Sequence, residues 1–153
     1  MRLSKFDFLF ANAWLRADRG ISTQLENDNG NASIVFIVNN SQKFVLDLSE
    51  REDEFICDIE NYTKDMNFNF YEKDYCDGLL WRINICYDDK MICTVGANAF
   101  PKSFVALLEF FHSLGVPKCY HENTKFYNML KNDEHYKMED IKGWIDKIQR
   151  TDS

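Results

Sequence analysis

The 153-residue sequence has little of what breaks a chain or staples it. With two prolines and six glycines, no stretch has the composition of a long disordered linker. Its five cysteines, Cys57, Cys76, Cys86, Cys93 and Cys119, are odd in number and contain no C-x-x-C pair, which argues against a disulfide framework and against the commonest zinc spacings. They read as reduced, buried thiols of a cytoplasmic protein. Basic charge is also short. Against 25 Asp and Glu there are 18 Lys and Arg, a net charge of −7, whereas direct nucleic-acid binding needs clustered cations to neutralise phosphates. Long hydrophobic runs are missing as well, so no membrane span is expected. In the N-terminal MRLSKFDFLFANAWL, Asp7 interrupts the apolar run and leaves no signal-peptide core.

What is present is a ring-rich interior. Hydrophobic residues make up 45% of the chain and aromatics 15%, including 13 Phe, enough for one domain with a real core spanning 1–153. The excess negative charge lies entirely in residues 1–117, with 11 bases and 18 acids, while residues 118–153 balance at seven of each.

Periodicity places the elements. Phe6, Phe8 and Phe10 alternate, so residues 4–15 read as a first strand, and the polar stretch 18–31 reads as a loop whose Asn27-Asp28-Asn29-Gly30 run suits a hairpin tip. Residues 33–38 and 43–48 form a hairpin around Asn39-Asn40, which tolerates positive φ. Ser49 and Glu52 have capping-box spacing, and a helix is expected from Glu50 to about Met66 with Phe55, Ile56, Ile59, Tyr62 and Met66 inward. Trp81, Ile83, Ile85 and Tyr87 alternate into an Asp88-Asp89-Lys90 turn, and Met91 to Val95 returns. The loop Gly96-Ala97-Asn98-Ala99-Phe100 leads to a helix with Pro101 in its first turn and Gly115 just past its end. Residues 124–131 and 137–149 have helical spacing, which makes a C-terminal helical segment of 118–150 after a core module of about 33–114. The expected fold is α+β, an antiparallel sheet of about five strands (an N-terminal strand plus two hairpins) with helices packed on one face.

The pattern Asp77-Gly78-x-x-Trp81-x-Ile83-x-Ile85-x-Tyr87, followed by Gly96-x-Asn98-Ala99-Phe100-Pro101, resembles a module of small uncharacterised proteins of Gram-positive bacteria. The likeness covers about residues 68–114 and implies a common fold without an assigned chemistry. The turn Asp88-Asp89-Lys90 departs from the Asp-Gly expected there and makes the hairpin one residue shorter, which bears on strand register.

Catalytic signatures are lacking. Cys119 and His121 are two apart and do not share a helix face, and no G-x-S-x-G elbow occurs. His112, Cys119 and His121 around Gly115-Val116-Pro117 are the one cluster with metal-ligand chemistry, and a helix C-terminus that favours His112 explains it as well; no metal or cofactor is expected. Loop carboxylates such as Asp74, Asp77, Asp88 and Asp89 lack the apolar surroundings that general acid–base work requires.

Two readings with functional reach remain. The helix face bearing Glu50, Asp53, Glu54, Asp58, Glu60 and Asp65 belongs to a stretch, Asp47 to Asp65, with eight acids and two bases. Such a face is commonly just solvated, but its self-repulsion would be offset by a partner with a basic surface. The expected function is a small acidic binding protein that neutralises a protein such as a nuclease or toxin, in the manner of an immunity protein or a phage-encoded anti-defence inhibitor, rather than an enzyme. The alternative is an anion or small-ligand site, sensing or catalytic, built on Gly96, Ala97 and Asn98 before a helix N-terminus.

Overall fold

The computed structural model describes residues 1–12, 20–66, 70–72, 79–97 and 99–119. In chain order the elements are β1 (Leu3–Asn12), β2 (Gly20–Asp28), β3 (Asn31–Val38), β4 (Gln42–Asp47), α1 (Glu52–Thr63), β5 (Phe70–Glu72), β6 (Leu79–Tyr87), β7 (Lys90–Ala97) and α2 (Phe104–Ser113). One sheet holds the strands in the order β4-β3-β2-β1-β6-β7-β5. Six of them run antiparallel, and the three residues of β5 add a short parallel pairing to β7. The α+β class is as expected, but the antiparallel strands among the described residues number six rather than about five.

The additional strand is β2, inside the stretch read as a loop. Ile21, Thr23 and Leu25 do alternate with Ser22, Gln24 and Glu26, yet of these only Ile21 is fully buried, so the apolar signal is faint. The Asn29-Gly30 tip does turn the chain. Asn29 at φ 52° and Gly30 at φ 85° close a two-residue hairpin between Asp28 and Asn31. Asn39 and Asn40, at φ 52° and 54°, do the same work between β3 and β4. Register at the shorter turn is settled by Tyr87 pairing Lys90 across Asp88-Asp89, and the Arg2 N–H fixes that turn by donating to the Asp88 carboxylate at 3.0 Å.

Strand β1 is central, and the rings of one face organise the core. Phe6, Phe8 and Phe10 stand opposite Ile85, Ile83 and Trp81 of β6. Both helices pack on this face. Phe8 meets Phe104 and Phe111 of α2 at ring-centroid distances of 6.0 and 5.1 Å, and Phe6 meets Phe55 of α1 at 5.6 Å and Phe111 at 6.3 Å. Each such side chain buried from water contributes on the order of 1.5–3 kcal/mol before chain entropy is counted.

The two helix starts differ from the sequence reading. Ser49 does not cap α1, because its hydroxyl and N–H both donate to Asp47, at 2.7 and 2.9 Å. Glu50 sits at φ 70°, outside helical space, so α1 begins at Glu52, and the Glu52 carboxylate accepts the Leu3 N–H of β1 at 2.6 Å. Likewise Pro101 precedes α2: its carbonyl accepts the Phe104 N–H at 3.0 Å in a turn that leads into the helix. The C-terminus of α2 is as expected. Gly115 takes φ 109° and donates to the His112 carbonyl at 3.0 Å, while Val116 reaches back to Phe111 at 3.1 Å. The C-terminal helices expected in 124–131 and 137–149 lie outside the described residues.

On the other face of the sheet Asn84 is fully buried between Asp7 of β1 and Cys93 of β7, and neither its amide nitrogen nor its oxygen has a hydrogen-bond partner among the described residues. An unmet buried amide costs about 1–3 kcal/mol. Asn84→Val is therefore expected to stabilise the fold by about 1–2 kcal/mol. Urea unfolding would show a higher midpoint at unchanged slope, and a lower midpoint would mean that the amide has a partner in solution.

Candidate functional site

Helix α1 forms because Phe55, Ile56, Ile59 and Thr63 recur at helical spacing and are buried, which leaves its acids on the rim and the outer ridge. The structure divides the predicted acidic face. Asp53 is exposed but accepts the Met1 ammonium at 2.7 Å, and that partner raises the amine's pKa above its ordinary value. The Tyr87 phenol is held above its ordinary range by burial first and by the Glu60 carboxylate second. Glu50 is exposed but precedes the helix. Glu54, exposed, and Asp58, half-buried, lie one turn apart along the ridge, and Asp65, exposed, lies just beyond the helix end. Neither the Glu54 nor the Asp58 carboxylate has a hydrogen bond or ion pair among the described residues. Spacing along the helix could place these acids, but it could not show that Asp53 and Glu60 are engaged by residues from the far ends of β1 and β6.

Around Gly96 the geometry is that of a packed joint. Gly96 and Ala97 end β7, Asn98 lies outside the described residues, and α2 begins only at Phe104. The Trp81 indole lies over Gly96, where an added Cβ would fall 2.2 Å from Nε1, and Nε1–H donates to the Ala99 carbonyl at 2.8 Å. Gly96 is thus needed for close approach of the Trp81 ring.

The thiols expected to be buried are so only in part: Cys93 and Cys119 are buried, Cys86 is half-buried, and Cys57 is exposed because it lies on the outer side of α1; all four are free. Burial pushes the Cys93 thiol up to about 11 and the Cys119 thiol up to about 12. A folded-state value above the unfolded one means that the folded form holds its proton more tightly. The resulting stability is full below the ordinary thiol range near 9 and is lost as pH rises through 11 to 12. Thermal midpoints are accordingly expected to be level from pH 6 to 8 and to fall above about pH 9, with a shallower fall in Cys93→Ala. An equal alkaline slope in that variant would remove Cys93 from the explanation. His112, exposed, places Nδ1 at 3.1 Å from the Val116 carbonyl, and His121 lies outside the described residues. Among the described residues no three His, Cys, Asp or Glu converge as metal ligands.

A hollow of about 70 Å³ lies where β1 and β2 part, lined by Leu9, Phe10, Ala11, Gly20, Ile21, Ser22, Ile37 and Asn40. It carries no ionisable group and is small beside the several hundred Å³ of ordinary ligand pockets. Among the described residues no helix is long and apolar enough to cross a membrane. No family model matches the chain, and neither a curated protein nor a solved structure matches it.

Proposed function

We propose that this chain is an acidic binding protein that neutralises a protein with a basic surface, a toxin or a nuclease, and acts in the cytoplasm as immunity proteins and phage-encoded inhibitors do. The observation that carries the reading is the ridge of α1. Glu54 and Asp58 lie one turn apart, a spacing at which like charges repel by a few tenths of a kcal/mol, and neither is relieved by a base among the described residues. A helix anchored by Phe55, Ile56 and Ile59 fixes the backbone at both positions, so only side-chain rotamers remain to be ordered when they meet Lys and Arg. Carboxylates at helical spacing can stand where phosphates would sit in a basic cleft, which occludes the cleft and hastens encounter.

The test is affinity capture from a bacterial lysate with the tagged wild type and the Glu54→Lys/Asp58→Lys variant side by side. Capture of one basic protein, whose activity falls on binding, by the wild type and not by the variant is the expected outcome. Equal capture by both would remove the ridge from the account.

A further inference from the structure

Strand β4 ends the sheet, and the bonding parity of its ladder shows which backbone groups remain open. The Leu48 N–H donates to the Ala32 carbonyl at 2.9 Å, so positions 42, 44 and 46, in step with it, face β3. The N–H and C=O of Lys43, Val45 and Asp47 therefore point away from the sheet. All three side chains are exposed, and Val45, at 50%, is among the few large apolar residues left in solvent among the described residues. Below this edge, on the helix face, Leu46 is buried and the Phe44 ring is fitted against Gly115 at the end of α2, where an added Cβ would come within 2.8 Å of the ring. Among the described residues no strand pairs with the outer edge of β4.

The order of side chains along that edge is self-complementary. Lys43 and Asp47 lie two residues on either side of Val45. If a second β4 is laid antiparallel about a two-fold axis at Val45, Val45 faces its copy, Lys43 faces Asp47 of the second copy, and Asp47 faces Lys43 of the second copy. The same alignment makes 45–45, 43–47 and 47–43 the hydrogen-bonded pairs, which is the parity that the free N–H and C=O groups require. Phe44 of each copy then lies beside Leu46 of the other. We infer that the β4 edge is a homodimer interface in which two copies of this chain join antiparallel into one continuous sheet, with Lys43 and Asp47 setting the register. An isologous contact of this kind closes on itself. An edge strand with a lone charge would repel other strands, whereas this charge order repels strands out of register and admits its own copy in one register.

The interface lies on β4 and does not depend on the α1 ridge. Sedimentation velocity of the full chain across a concentration series tests it, with Lys43→Asp and Asp47→Lys as variants. The wild type is expected to dimerise, and each variant to dissociate with its dimer constant weakened at least roughly tenfold, because each places like charges opposite at both ends of the pairing. A one-to-one mixture of the two variants is expected to dimerise again, since every 43–47 pair in the mixed dimer is then of opposite sign. Thermal midpoints near that of the wild type certify that both variants fold. A wild type that stays monomeric at every concentration, a Lys43→Asp chain that dimerises as tightly as the wild type, or a mixture of folded variants that remains monomeric would overturn the inference.

Discussion

Phe104→Ala lowers the stability of the folded chain by about 4 kcal/mol, near the middle of the range for emptying a phenyl ring from a packed core. Phe104 is fully buried, and its ring lies 5.0 Å from both Trp81 and Phe100, 5.4 Å from Phe10 and 6.0 Å from Phe8. Those four partners belong to β1, to β6 and to the turn before α2, and none of them can move into the space without leaving its own contacts. The loss thus includes both the transfer of the ring to water and the vacancy it leaves. For a chain of this length the thermal midpoint is expected to drop by about 12 °C. Phe104→Leu, which keeps most of the volume, should cost about 1.5 kcal/mol. If alanine and leucine destabilised equally, the ring would not be filling the space ascribed to it.

Gly20→Ala is expected to cost roughly 3 kcal/mol or more, although it adds one methyl group. Gly20 holds φ 140°, where L side chains are rarely found, and its Cβ would fall 1.8 Å from the Phe10 carbonyl oxygen. A backbone atom cannot step aside as the end of a flexible side chain does. The position also has little support in reserve. Strands β1 and β2 share only the pairs Phe10–Ile21 and Ala11–Gly20 before they part, and beyond that point the Thr23 hydroxyl accepts the Phe8 N–H at 2.8 Å in place of a strand partner. Displacing Gly20 therefore threatens the joint between the meander of β2 to β4 and the rest of the sheet. Amide exchange measured along β2 and β3 would show this as faster opening of the meander than of β6 and β7. Uniform loss of protection across both halves would mean that the seam is not a separate point of weakness.

The sequence made some of this legible for physical reasons that can be named. Alternation exposed β1, β4 and β6, a run of β-branched and aromatic residues exposed β3, and β7 followed as the return from the Asp88-Asp89-Lys90 turn; asparagine, aspartate or glycine marked the tips where φ turns positive. Strand β2 was hidden because most of its inward positions are only half-buried. Its partnership with β1 consists of two ladder pairs and a threonine hydroxyl, and the hydroxyl has no hydrophobic period. The capping-box spacing of Ser49 and Glu52 misled because both groups bond elsewhere: Ser49 to Asp47, and Glu52 to the first N–H of β1. Among the acids, helical spacing separated exposed from buried positions well enough. What it could not give was the partners of Asp53 and Glu60, Met1 and Tyr87, which are 52 and 27 residues away and are brought close only by the sheet. The same long-range assembly explains Gly96, whose neighbourhood is filled by Trp81 from the adjacent strand.

The central claim is that the ridge of α1, rather than total negative charge, recognises a basic protein. Dissociation constants for the captured partner test it directly when measured with three chains of matched preparation: the wild type, Glu54→Lys/Asp58→Lys, and Glu26→Lys/Asp28→Lys. The last pair lies exposed at the β2–β3 tip and changes the net charge by the same amount. The ridge variant is expected to bind about a hundredfold more weakly, with a flattened dependence on salt, while the tip variant stays within a few-fold of the wild type. Equal weakening by both variants would show that only net charge matters, and no weakening by the ridge variant would contradict the assignment of α1 as the binding surface.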